Sequence, residues 1–366
     1  MIQRPAWLIA LATGALALGL AACAPRGGPS PRPAPPPTPT PLRVALEDHA
    51  LHVNRSDAPL REVRPWRHGL APPGAEAGVV YMALEKGYFL QAGLAVEYVP
   101  LAADARLASV AAGPLDTVST DGPGAVQAIA HGAPLRIVAS DRPRSPQGLL
   151  ARKEVRELRD LYGRRVALGP PGKLVAAQLA GLFDKYGLDF GRVEAVSVGG
   201  ASDGVQAVVA GKVAAAVAPP ELARALEPDA AQVLLSVGRE LPDLLRLVLV
   251  ARQEVIEGRP DELTAFLVAY ARGVRYALQH KDEAVELAVR LGGVDPDDAA
   301  WVYDRFVAEG LVSPNLAVSE AALRFTQEMS VRLQNQEQAL PLDRLADLDY
   351  QQRALRALGG DTRLGP

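Results

Sequence analysis

One pattern runs through this chain twice, and it limits the possible folds more than any other feature. Leu42-Arg-Val-Ala-Leu46 recurs as Arg164-Arg-Val-Ala-Leu168, and each reads as a buried strand feeding a loop. Lys86-Gly-Tyr-Phe89 with Gly93-Leu-Ala-Val-Glu-Tyr-Val99 is echoed by Lys185-Tyr-Gly-Leu188 with Arg192-Val-Glu-Ala-Val-Ser-Val198. The segments 107–119 and 205–217 then run in parallel: an apolar helix ends at a glycine, Gly113 or Gly211, and passes to a short strand. Strand, helix, strand, helix, strand, twice over, predicts two α/β lobes with mostly parallel sheets. In such sheets ligands bind beyond the carboxyl ends of the strands, so two facing ends make a cleft.

The stretch 78–100 shows how one unit is built. Val80, Ala83 and Leu84 fall at helical spacing, Lys86 and Gly87 supply a cationic last turn and a stop, and residues 94–99 alternate as a strand. The helix start near Gly78 offers unpaired backbone N–H groups to a ligand.

The run Ala83-Leu-Glu-Lys-Gly-Tyr-Phe-Leu-Gln-Ala-Gly-Leu-Ala-Val-Glu97 closely resembles bacterial periplasmic solute-binding proteins of the nitrate/sulfonate/taurine and thiamine-pyrimidine-precursor group, from about residue 42 into the 280s. The resemblance implies a type II periplasmic-binding-protein fold, with two doubly wound α/β lobes joined by a two-segment hinge. It also implies a monomer that delivers a small molecule to an ABC permease with its cytoplasmic ATPase. It identifies the family well and the ligand poorly. The links between lobes are expected near 147–152 and 245–251. That assigns 42–146 and 247–366 to a discontinuous first lobe and 147–246 to the second.

The N-terminus reads as an export signal. Arg4 is followed by an uncharged apolar run from Trp7 to Ala22, too short for a comfortable span, and Leu20-Ala-Ala-Cys23 places small residues before the only cysteine. The pattern resembles a lipobox, which implies lipidation of Cys23 and a membrane anchor. Residues 24–41 are proline-rich and predict an extended tether.

About 325 residues follow, enough for two lobes. The formal charge of −3 and the lack of a basic stripe point away from nucleic acid. Amphipathic helices are expected at 260–280, 282–291 and 297–309, covering the first lobe.

The loops after the strands supply the candidate site. The first, 47–77, is long and carries His49, His52, Trp66, His68 and Glu76. His49-x-x-His52 lacks a partner motif, so no metal or other cofactor is assigned. Trp66 on a cleft-side loop either covers a ligand or packs the loop down, and His68 is its companion candidate. Ser119 and Thr120 follow the strand 115–118 and are assigned to ligand contact; Asp121 either caps the next helix or accepts from a ligand. Arg142 is placed to clamp an anionic group, or else lies at the surface near the hinge. In the second lobe Gly172 and Lys173 open the helix 174–186 without P-loop spacing, and Glu221 caps a helix or meets a ligand N–H. Where relatives often carry an aromatic before a proline, this chain has Ala218, which places the usual ligand contact in doubt.

An anion-friendly set (Ser119, Thr120, Arg142, Lys173) thus sits beside a set suited to a nitrogen heterocycle (Asp121, Glu221, Trp66), and the sequence leaves both open. The leading reading is the extracytoplasmic substrate-binding component of an importer, not an enzyme, and no catalytic residue is assigned. The alternatives are an enzyme like those of thiamine-pyrimidine synthesis, or a solute sensor for a membrane kinase.

Overall fold

The computed structural model describes residues 60–168, 174–219, 221–224 and 230–358. The export signal, Cys23, the tether, the expected strand at 42–46, His49, His52, Gly172 and Lys173 lie outside the described residues.

Among the described residues, ten strands form two five-stranded sheets with the same wiring. The first contains β1 (Arg64–Leu70), β2 (Leu94–Pro100), β3 (Thr117–Asp121) and β4 (Leu135–Ala139). The second contains β5 (Gly148–Ala151), β6 (Arg165–Leu168), β7 (Glu194–Ser197), β8 (Ala215–Ala218) and β9 (Gln232–Ser236). The chain then returns to the first sheet with β10 (Leu247–Arg252). The orders are β2-β1-β3-β10-β4 and β7-β6-β8-β5-β9. In each, four strands run parallel and one antiparallel strand, β10 or β5, is the first strand after a crossing between sheets.

The internal echo is therefore real, but its first member is misplaced. The strand that corresponds to β6 is β1, at 64–70, not residues 42–46. Arg64-Pro-Trp-Arg-His-Gly-Leu70 does not look like a buried strand, because it carries a proline and three basic side chains. Position explains the proline. Arg67 N–H donates to Asp116 Oδ2 on the β3 side, and Pro65, two residues earlier, faces that same side before β3 begins.

The unit at 77–91 is a broken helix: Ala77–Val80, Met82–Glu85 and Tyr88–Gln91, with Gly87 in the left-handed conformation at φ +66°. Residues of β2 alternate buried and half-buried as the spacing predicts. The helix Pro260–Gln279 lays Phe266 and Tyr270 on one face of the first sheet, and the helix Gly122–Ala130 packs on the other.

The three amphipathic helices appear at Pro260–Gln279, Lys281–Gly292 and Pro296–Ala308. A further helix, Glu320–Arg332, does more than cover the first sheet. Its Leu323 joins the core around Val118 and Val248, while its Met329 joins the core around Leu182 and Phe183 of the second sheet. It straps the two cores together behind the crossings, and Thr326 Oγ1 accepts from Leu245 N–H there.

The crossings run side by side. Val237 N–H donates to Gln147 O, and Arg246 N–H to Pro143 O. A Cβ on Gly238 would stand 2.2 Å from the Ser145 carbonyl oxygen, so the two backbones touch. Gln178, fully buried on the helix Leu174–Lys185, donates to Ser145 Oγ and Gln147 Oε1 and ties the second sheet's helix layer to the first crossing.

Candidate functional site

The ends of β3 and β4, the turn before Ala77, and the second crossing bring together one charged cluster. Asp141 and Arg142 follow β4, and both are buried. Arg142 Nε donates to Asp141 Oδ2 at 2.9 Å, and the Tyr270 hydroxyl donates to the same oxygen at 3.0 Å. Arg142 also pairs with Glu76, and Arg246 reaches Glu76 from the second crossing, its Nη1 at 3.4 Å from Oε2. Burial and the facing Arg246 pull Arg142 down to about 9. Burial lifts Asp141 to about 6, against the Tyr270 hydrogen bond and the Arg246 charge. Glu221, from the second sheet's side, lies within electrostatic reach of Arg305 and Arg246; burial raises its pKa and those cations oppose the rise.

Around this cluster, buried polar atoms have no hydrogen-bond partner among the described residues: His68 Nε2, Tyr81 Oη, Ser119 Oγ, Thr120 Oγ1 and Asp141 Oδ1. Such atoms are costly unless something satisfies them.

The residues singled out in the sequence fare differently. Trp66 is not on a loop. It sits on β1, fully buried, stacked on Phe266, with Nε1–H donating to Thr117 Oγ1 at 3.1 Å. Its role is packing, because the strand face it occupies is covered by the helix Pro260–Gln279. His68, also on β1 and fully buried, places Nδ1 2.9 Å from Thr117 Oγ1. Thr117 Oγ1 thus meets both the indole N–H and His68 Nδ1, and His68 Nε2 has no partner among the described residues. Burial first, then the charges of Arg106 and Arg142, hold His68 down to about 3, so it is neutral.

Gly78 does not present an open helix end. It is buried, and a Cβ there would stand 1.9 Å from the Ala284 carbonyl oxygen, so the glycine serves close packing against the helix Lys281–Gly292. Ser119 and Thr120 lie on β3 itself rather than after it; β3 runs to Asp121 because β10 pairs with it as far as Leu247. Asp121 caps the helix Gly122–Ala130 by accepting from Gly124 N–H at 2.7 Å. Arg142 is buried, not a surface residue.

Sequence reasoning did not select Glu76, Asp141, Arg246 or Tyr81. The signal for Asp141 was its position after a strand end. For Arg246 it was a lone cation beside the predicted return crossing. Among the described residues there is no His, Cys, Asp or Glu group that could hold a metal ion, and no helix is long and apolar enough to cross a membrane.

Two identically wired mixed sheets joined by paired crossings, with polar groups gathered at strand ends, define the periplasmic-binding-protein fold. The NMT1/THI5-like family model matches residues 75–284, more than half of the sequence, and the chain belongs to that family. No curated protein matches the chain by sequence. Among solved structures, the putative periplasmic sulfonate-binding protein SsuA of Methylobacillus flagellatus KT is 18% identical, with a TM-score of 0.68 over 82% of this chain and 97% of that one. The periplasmic nitrate-binding protein NrtA of Synechocystis PCC 6803 is 15% identical, with a TM-score of 0.65 over 83% and 91%. The desulfurization enzyme DSZB is 15% identical, with a TM-score of 0.53 over 81% and 99%. The fold thus serves binding proteins and at least one enzyme.

Proposed function

We propose that this chain is the exported substrate-binding component of an ABC importer, one that captures a small organic solute between its two sheets. The observation that carries the reading is the cluster of Glu76, Asp141, Arg142 and Arg246 at the strand ends of the first sheet, with Glu221 brought toward it from the second. The similarity to sulfonate- and nitrate-binding proteins supports it. Each half, 60–146 with 247–358 and 147–246, moves as a lobe about the two crossings. Solute contacts on both halves favour the closed form, which a permease recognises. Cys23 carries the lipid, the proline-rich segment is the tether, and the mature protein works as a monomer on the outer side of the membrane. Ser119, Thr120 and Arg142 remain in the solute site, together with Gly172, Lys173 and Glu221 from the other half. The protein acts by binding, not by catalysis: the neutral His68 and the Thr117 hydroxyl beside it are enclosed between β1, β3 and the helix Pro260–Gln279.

A thermal-shift screen of the purified chain against sulfonates, carboxylates, nitrate, amidines and pyrimidines tests this, because a solute that binds only the folded form raises the melting temperature. Small-angle scattering then follows closure. A bound solute that leaves the scattering profile unchanged, or that is chemically converted, would overturn the receptor reading.

A further inference from the structure

Glu76 is held where it is by the fold. The turn before it is closed by Ala77 N–H donating to Gly74 O, and Gly78 beyond it is pressed on the Ala284 carbonyl. Its two partners are equally fixed. Arg142 is anchored through Asp141 to Tyr270, and Arg246 through its own N–H to Pro143 O and its carbonyl to Gly122 N–H. Two arginines from different segments therefore converge on one carboxylate that is itself only partly covered, with 31% of its side chain exposed against 6% and 14% for the arginines. Exposure on that side is where a solute would meet the group.

The charge balance follows from the pairs. Arg142 faces Glu76 and Asp141, Arg246 faces Glu76, and Glu221 approaches from the other half. A monoanion entering this cluster finds its natural partners already taken. To bind the arginines it must displace Glu76 and leave a carboxylate beside it, which like-charge repulsion and lost pairing oppose. A solute without net negative charge meets no such barrier. It can hydrogen-bond to the Tyr81 and Ser119 hydroxyls, which have no partner among the described residues, and to the exposed side of Glu76.

We infer that Glu76 is a specificity-determining residue, a built-in counter-anion that occupies the arginine pair, so that the cleft takes an uncharged or zwitterionic solute and rejects monoanions such as nitrate and alkanesulfonates. This rests on the solute-binding reading of the same cleft and narrows its ligand class, away from what the names of the similar structures would suggest.

The test uses the full chain and four probes: nitrate, ethanesulfonate, the zwitterion taurine, and the uncharged 4-amino-5-hydroxymethyl-2-methylpyrimidine. Calorimetry and thermal shift are run on wild type, Glu76→Gln, and the double variant Glu76→Gln/Arg246→Gln, with circular dichroism confirming that each is folded. Wild type should bind neither monoanion at about 10 mM. Glu76→Gln should gain ethanesulfonate affinity by roughly tenfold or more, and the double variant should lose that gain. Taurine and the pyrimidine separate the zwitterionic from the uncharged case. Tight ethanesulfonate or nitrate binding by wild type, or no gain in a folded Glu76→Gln, overturns the inference. If wild type binds nothing in a wider panel while Glu76→Gln still gains the anion, the counter-anion role stands and the receptor reading fails.

Discussion

The indole of Trp66 lies nearly flat on the ring of Phe266, with centroids 5.3 Å apart and planes inclined by 21°. Trp66 is thereby a core residue of the first sheet, completely shielded from solvent. Truncation to alanine should cost about 3–5 kcal/mol of folding stability, as large aromatic-to-alanine changes in cores do. Urea unfolding measures this directly. A Trp66→Ala protein of unchanged stability that has lost solute binding would put the indole back in the cleft.

Gly78 and Gly74 lie four residues apart and should respond oppositely. Alanine at 78 drives a methyl into the Ala284 carbonyl, whereas alanine at 74 meets nothing within 4 Å. Thermal melts should show Gly78→Ala destabilised by about 1–3 kcal/mol. Gly74→Ala should stay within about 0.5 kcal/mol of wild type. Equal melting temperatures for the two variants would refute the close approach.

Across the cleft mouth, Arg224 of the helix Glu221–Arg224 pairs with Asp298 at 2.9 Å and lies over the Trp301 ring, 4.9 Å from its centroid. Both partners belong to the helix Pro296–Ala308, so the contact forms only when the two halves are close. It is about half exposed, and such pairs are worth about 0.2–1 kcal/mol. Arg224→Ala should therefore weaken solute affinity by a factor of roughly two to five, seen by calorimetry, with no change in which solute binds. A loss of hundreds-fold would mean that Arg224 touches the solute.

Acid response separates two buried groups of opposite sign. His68 is held down from 6.5 to about 3, so the unfolded chain binds its proton first and stability falls as pH drops below 6.5. Asp141 is lifted from 3.8 to about 6, so the folded chain binds its proton first and stability rises as pH drops from 6 toward 4. In the wild type the two largely offset. His68→Gln leaves only the second, and its stability change between pH 7 and pH 4.5 should be more favourable than wild type's by about 2–3 kcal/mol. Parallel urea titrations at the two pH values give the answer; identical responses would show that His68 titrates normally.

Much of the fold was legible before any coordinates. Gly87, Gly113 and Gly211 stop their helices in positive φ as the spacing requires, whereas the segments expected as links are the strands β5 and β10, each entered just after a crossing. The family followed from the run at 83–97. What misled was local appearance: β1, rich in arginine and proline, reads as a loop, and that reading carried Trp66 to the surface. The site was legible only in part. Arg142 was selected for its place after a strand end, and it does follow β4, whereas Ser119 and Thr120 lie within β3. Glu76, Asp141 and Arg246 were not selected, because a single charged residue in a turn carries no mark of what it will face.

The sequence by itself determined the repeated α/β units and their number, because hydrophobic period and glycine stops act over a few residues. Only the tertiary structure decided which charges meet. Glu76 and Arg246 are separated by 170 positions and Arg142 lies between them in the chain. Their convergence depends on how two sheets and two crossings pack, and pairing between distant side chains leaves no periodic trace in either segment.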